Sequence, residues 1–394
     1  MTNDRATPGS GEPAIDTVAS GTERERIERL LIHQFPAIKP LEPADLVRVA
    51  PYKNGGFMPS VLGFMLYCNG YSLRGTSRLC RNGLLYEDGE TLFGIGIFRK
   101  TIETPIWHVM VSGPWGKDGF AKVDRLVTRL RELGVTSEIF VRHLGAADYL
   151  TFYSHDYREI RESPWCVGAP AEDETHNYKR IRLADVIAVD ANGQVEIKTM
   201  QGEEDRGFRV KARMVFNRFS NFLERNHLRF TIRDYTMADL PVAEKLVRHH
   251  FALLKNPVGS TPEDYMSLLR CDPAALGDQE FGKIGFLEDG TVSIPALLFL
   301  GEHTGASTVS LYATFANRDP ETLDPTFDTT GFSAISQYSY LILFKMLLDI
   351  GIEWVDVGGS ETHDLDKFKR QLGATEVPSY WVVAPTAVAL GEPP

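Results

Sequence analysis

Phe286-Leu287-Glu288-Asp289-Gly290-Thr291-Val292 reads as the end of one strand, a tight Asp-Gly turn and the start of the next strand. The same phrase stands near the start of the chain as Leu85-Tyr86-Glu87-Asp88-Gly89-Glu90-Thr91. A second echo follows each: Glu132-Leu133-Gly134-Val135 and Asp349-Ile350-Gly351-Ile352, both the end of an apolar-periodic helix. The later pair lies further apart by the length of one loop, Asn317–Phe332.

Working outward, the later copy predicts a strand Leu228–Arg233, a helix Met237–Leu254 with Asp239 in its first turn, and a helix opening near Thr261 with Pro262 at its first position. Strands Lys283–Leu287, Val292–Leu300 and Ser307–Ala316, a helix Ser333–Gly351, a strand Glu353–Val357, a short helix Leu365–Leu372 and a strand Ser379–Ala384 complete it. The earlier copy repeats the order: a helix Pro59–Asn69, strands Leu79–Tyr86, Thr91–Phe98 and Ile106–Ser112, a helix Phe120–Leu133, a strand Ser137–Arg142 and a short helix from Ala146. This is an α/β (α+β) chain of two tandem units, each a mixed, largely antiparallel sheet flanked by helices, the arrangement of acyltransferases of the GNAT type. We divide it into a disordered leader at 1–22, an N-terminal GNAT-like domain at 23–205, a basic linking helix at 206–227 and a C-terminal GNAT-like domain at 228–394. Two such units create a cleft where ligand sites tend to lie.

A chain of 394 residues exceeds what one core usually serves, in agreement with two domains. Hydrophobic residues at 43% and charged residues at 24% are those of a folded protein, no apolar run has the length of a membrane span, and the expected location is the cytoplasm. The four cysteines, Cys68, Cys80, Cys166 and Cys271, lack metal-site spacing. A net charge of −11 argues against nucleic-acid binding through the whole surface. One stretch runs the other way: Arg206, Arg209, Lys211, Arg213, Arg218, Arg225, Arg229 and Arg233 face a single acid, Glu224.

The candidate chemistry sits at Trp354-Val355-Asp356-Val357-Gly358-Gly359-Ser360-Glu361, where a strand breaks at two glycines and a ligand can approach the backbone closely. A short helix carrying Phe368, Lys369 and Arg370 follows. Proton acceptors near the turn are Asp356, Glu361, His363 and Asp364, any of which can also be a helix cap or a solvated side chain. Tyr312, on a central strand, is either a core aromatic or part of an acceptor pocket. In the earlier copy, Arg142 and His143 are candidates to line that pocket.

Two segments resemble one family, the aminoacyl-tRNA-dependent transferases with tandem GNAT domains, meaning the C-terminal domain of phosphatidylglycerol lysyltransferases and the Fem-type peptidoglycan transferases. They are Lys211-Ala-Arg-Met-Val-Phe-Asn217-Arg218-Phe219 running into Phe230-Thr-Ile-Arg-Asp-Tyr235, and Gly358-Gly359-Ser360-Glu361 with Leu365-Asp-Lys-Phe368-Lys369-Arg370 and Gly373. The resemblance implies transfer of an aminoacyl group from charged tRNA to the amine or hydroxyl of a small-molecule, peptide or lipid acceptor, with no cofactor. It implies that Lys369 stabilises the oxyanion or the terminal phosphate; Asp356, Glu361 and His363, from their place by the glycine turn, are the expected catalytic proton acceptors. Phe368, Gly358, Gly359, Ser360, Tyr312 and Arg370 would contact substrate, and Lys211, Arg213 and Arg218 would contact tRNA. A rival keeps the fold but uses acyl-coenzyme A, with Gly113-Pro-Trp-Gly116-Lys117-Asp-Gly119 as phosphate cradle, since the acidic Asn317–Phe332 loop suits a diphosphate poorly. A third reading is a binding protein without catalysis. A free sheet edge would allow a homodimer.

Overall fold

The structure, a computed structural model, describes residues 17–41, 45, 52, 83–99, 106–160, 178–191, 195–198, 203–253, 262–270, 280–360 and 363–386. The helix expected at Pro59–Asn69, the start of the strand expected from Leu79, Glu361, and the side chains of Lys211 and His363 lie outside the described residues.

In the N-terminal half the described elements are α1 (Thr17–Gln34), β1 (Ile38–Pro40), β2 (Leu84–Glu87), β3 (Thr91–Arg99), β4 (Trp107–Gly116), α2 (Gly119–Glu132), β5 (Ile139–Leu144), α3 (Ala146–Tyr153) and β6 (Arg158–Ile160). Then come β7 (Tyr178–Arg182), α4 (Leu183–Val186), β8 (Ile187–Val189), β9 (Val195–Ile197) and the linking helix α5 (Glu203–Arg225). The C-terminal half has β10 (Arg229–Asp234), α6 (Leu240–Leu253), α7 (Pro262–Leu269), β11 (Glu280–Glu288), β12 (Ser293–Gly305), β13 (Thr308–Ala316), α8 (Ile335–Asp349), β14 (Trp354–Asp356), α9 (His363–Gln371), β15 (Thr375–Val377) and β16 (Tyr380–Val383). Helix α1 begins inside the leader drawn at 1–22, because Ile27 and Leu31 are fully buried and anchor it to the first core.

Both echoes in the sequence are the same backbone device used twice. Asp88 accepts the amides of Glu90 and Thr91 at 3.1 and 2.9 Å, and Asp289 accepts those of Thr291 and Val292 at 2.8 and 2.7 Å. Gly89 and Gly290 take the positive φ that each turn requires. Helices α2 and α8 likewise end alike: Val135 donates back to Leu130 and Ile352 to Leu347, both at 2.9 Å, across a left-handed glycine.

Among the described residues two seven-stranded sheets form, with spatial order β1-β2-β3-β4-β5-β16-β6 and β10-β11-β12-β13-β14-β7-β15. Pairing is antiparallel except for β4 with β5 and β13 with β14, which occupy matching places. Helix α2 buries Val123, Leu126, Val127 and Leu130, one stripe at helical spacing, against the first sheet. Helix α8, nearly devoid of charge, is buried on most sides between the second sheet and α5, where Phe216 stacks on Tyr338 at 4.9 Å.

Two strands cross the boundaries drawn at residues 205 and 228. β7, from the N-terminal half, enters the second sheet between β14 and β15, and β16, from the chain's end, enters the first between β5 and β6. Ser379–Ala384, expected to close the C-terminal sheet, thus buries Trp381, Val382 and Val383 in the N-terminal core. The exchange escapes the sequence reading because Tyr-Lys-Arg-Ile-Arg at β7 looks like a solvated segment. The charges of Lys179 and Arg180 are matched by residues far along the chain.

Candidate active site

The strand order puts Asp356 in a polar row across the second sheet, in register Glu302, Ser310, Asp356, Arg180. Directly opposed residues project on one face, so this row is shared by four strands. Glu302 and Asp356 are 1% and 3% exposed, which demands partners for their charge. Arg180 supplies one, gripping Asp356 with both forks at 2.6 and 3.0 Å. Burial pushes the Asp356 carboxyl up while Arg180 pulls it down, and the guanidinium is itself pushed up by Asp356. Asp356 is therefore committed to an ion pair.

After β14 the chain turns at Gly358, which adopts φ +67° and has nothing within 4 Å of where a Cβ would stand. Helix α9 returns Lys369 to this turn. The residue is 9% exposed, and its ammonium donates to the carbonyl of Gly359 and, at 3.5 Å, to that of Gly358. Ser360 is fully buried beside it, and its hydroxyl has no hydrogen-bond partner among the described residues. Phe368 packs edge-on against Tyr340 at 5.7 Å, and the Tyr340 hydroxyl meets Thr314 at 2.7 Å. Burial first, with Thr314 and Arg318 opposing, pushes Tyr340 up to about 12, so it stays protonated.

Lys369, Gly358, Gly359 and Ser360 are thus brought together, while Phe368, beside Lys369 in sequence, packs against the core. Arg370 belongs to a different set: it bonds Asp366 at 2.6 Å and also Glu376, and these acids push its pKa up. Tyr312 sits at a bulge of β13 and packs against the cluster that contains Tyr235, Leu246 and Phe315. On α5, Arg213 and Arg218 are exposed, and Arg213 reaches the carbonyl of Ile197 at 3.2 Å. Arg225 and Arg233, from the same basic stretch, are consumed by Asp328 and Asp239.

The matching place in the first sheet holds Arg142 where the second holds Asp356. Arg142 is buried, donates to Ser112 at 2.7 Å and lies under the Trp381 ring of the exchanged strand at 5.8 Å. His143 bonds the Tyr178 hydroxyl at 2.8 Å, joining the halves. Trp107 and Trp115 are core residues. The glycines of Gly113–Gly119 are spent on close packing: a Cβ on Gly116 would stand 2.1 Å from the Glu90 carbonyl oxygen, and one on Gly119 2.6 Å from the Pro114 ring.

Four residues of this region escaped the sequence reading. Lys179, Arg180 and Glu302 gave no signal because their partners are remote in sequence. Arg318 lies just past the end of β13, donates from Nε to Ser336 at 2.9 Å and has no carboxylate partner among the described residues. Its place at a strand end, before a helix, is the only clue the sequence offered.

Two exchanged sheets, each with a parallel pair at its centre and a helix crossing over it, define a tandem GNAT fold. The chain matches, in fold, a conserved protein of unknown function from Bacteroides thetaiotaomicron (TM-score 0.57, 12% identity, 88% of this chain and 99% of that one). It also matches L-PGS from Bacillus licheniformis (0.53, 13%, 87% and 92%) and FemX (0.54, 8%, 90% and 98%). No protein-family model matches the sequence, and no curated protein matches it significantly. Among the described residues no helix is long and apolar enough to cross a membrane.

Proposed function

We propose that the protein is an acyltransferase that moves an aminoacyl group from charged tRNA to an amine or hydroxyl of a small-molecule, peptide or lipid acceptor. The observation that carries this reading is the buried Lys369 ammonium held at the open Gly358 turn. An aminoacyl ester is already activated, so transfer needs orientation and charge stabilisation and no covalent enzyme intermediate. The acceptor nitrogen or oxygen attacks the ester carbonyl, Lys369 donates to the oxyanion, the carbon–oxygen bond to the ribose breaks, and the acceptor's proton ends on the ribose hydroxyl. Asp356 is occupied by Arg180, so that proton does not pass through it. The exposed Arg213 and Arg218 on α5, a helix packed against α8, supply a surface for the tRNA backbone.

Acyl-coenzyme A is less well served. The packed glycines leave no open cradle at Gly113–Gly119, and in the Asn317–Phe332 loop Asp324 and Asp328 are held ionised by hydrogen bonds from Thr326 and Thr330. The test is to incubate purified protein with each class of charged tRNA and follow deacylation, beside calorimetric titration with acetyl-coenzyme A. Loss of one aminoacyl class, abolished in Lys369→Met with unchanged circular dichroism, is the expected result. Tight coenzyme A binding without deacylation, or full activity in Lys369→Met, would reject the reading.

A further inference from the structure

Lys179 is fully buried, and a charge at that depth is stable only beside partners that compensate it. Its ammonium lies 2.7 Å from Asp366 and 3.1 Å from Glu376, and Arg370 bonds the same two acids from the outer side. The ring of two cations and two acids fixes α9 through Asp366, one turn before Lys369. The backbone of Lys179 fixes the opposite wall: its amide donates to the Gly358 carbonyl at 3.1 Å, and its carbonyl accepts from Val357 at 2.8 Å. The Gly358 carbonyl is also an acceptor for Lys369, at 3.5 Å. One residue therefore ties both the turn that receives the Lys369 ammonium and the helix that delivers it.

We infer that Lys179 is a positioning residue for Lys369, carried into the C-terminal site from the N-terminal half on the exchanged strand β7. The inference rests on the role proposed above for Lys369. Its physical content is that β7 sets the distance between α9 and the Gly358 turn, so that the reactive geometry of one half depends on docking of the other. Productive transfer tolerates little displacement, since an error of about 1 Å can cost on the order of a hundredfold in rate.

The test compares wild type with Lys179→Met, Lys179→Arg and the milder Glu376→Gln, which alters the ring from its half-exposed side. Two readouts are taken: kcat and KM for charged tRNA, and the rate at which Lys369 is reductively methylated with formaldehyde and borohydride, followed by peptide mass spectrometry. In Lys179→Met we expect kcat to fall about tenfold or more, with KM little changed and Lys369 methylated faster. Lys179→Arg should restore part of both, and Glu376→Gln should shift both in the same direction by less. Should Lys179→Met not fold, Glu376→Gln decides alone. Methylation of Lys369 at the wild-type rate in the folded variants would overturn the positioning role. If wild type transfers nothing from any charged tRNA, the proposed function fails, while the methylation rates still judge the placement of Lys369.

Discussion

Arg180 on β7 and Asp356 on β14 form a two-pronged ion pair across 176 positions of sequence, at 2.6 and 3.0 Å. The pair joins a strand of the N-terminal half to the strand that leads into the glycine turn. Removing one partner leaves a buried charge alone, which typically costs about 3–5 kcal/mol. Arg180→Met should therefore lower the denaturation midpoint far more than Arg182→Met, whose nearest acid, Asp185, lies 3.8 Å away at the surface. Arg180→Met combined with Asp356→Leu should recover most of the loss, as read by urea denaturation.

The strand exchange predicts which half fails when the tail is removed. A chain ending before Tyr380 loses Trp381, Val382 and Val383 from the first core, at roughly 1.5–3 kcal/mol for each large apolar side chain. Limited proteolysis should then cut within 84–160 before it cuts within 280–350. The reverse order of cleavage would contradict the placement of β16.

Glycine positions separate strain from collision. Gly358→Ala meets open space and bears only the left-handed φ, an expected cost of about 1–2 kcal/mol. Gly301→Ala would place a Cβ 2.2 Å from the Ser310 carbonyl oxygen in the middle of the sheet and should cost more. Thermal melting of the two variants compares them directly, and a smaller loss for Gly301→Ala would contradict the packing described.

His250 makes stability depend on pH. Burial first, then Arg318 and His249, hold its pKa down to about 4 from the ordinary 6.5. The unfolded chain takes up this proton near pH 6.5 and the folded one only near 4, so stability present above 6.5 is lost as pH falls toward 4. The loss is on the order of 1–3 kcal/mol. His250→Phe, which keeps a ring against Phe315, should flatten that part of the curve measured by denaturation from pH 7 to 4.

If α5 receives RNA, Arg213→Glu with Arg218→Glu should weaken binding of charged tRNA and reduce the salt slope by about one unit per lost phosphate contact. Melting temperature should stay near wild type because both side chains are exposed. An unchanged salt slope would remove α5 from the proposed interface.

Much of this molecule was legible in its sequence for a definite reason. Asp88-Gly89, Asp289-Gly290, Gly134 and Gly351 act within a few residues of themselves, through Asx turns and helix caps, so local chemistry fixed both the hairpins and the helix ends. Apolar spacing did the same for α2 and α8, and the glycine turn followed by a short basic helix marked the place where Lys369 meets the carbonyls of Gly358 and Gly359. What only the tertiary structure decided depends on long-range complementarity. The polar strand at Tyr178–Arg182 becomes interior because Asp356, Asp366 and Glu376 meet its charges. Asp356 becomes an ion-pair member for the same reason, and the end of the chain serves the first sheet. A buried charge is stable only beside its partner, and no local pattern names a partner nearly two hundred residues away.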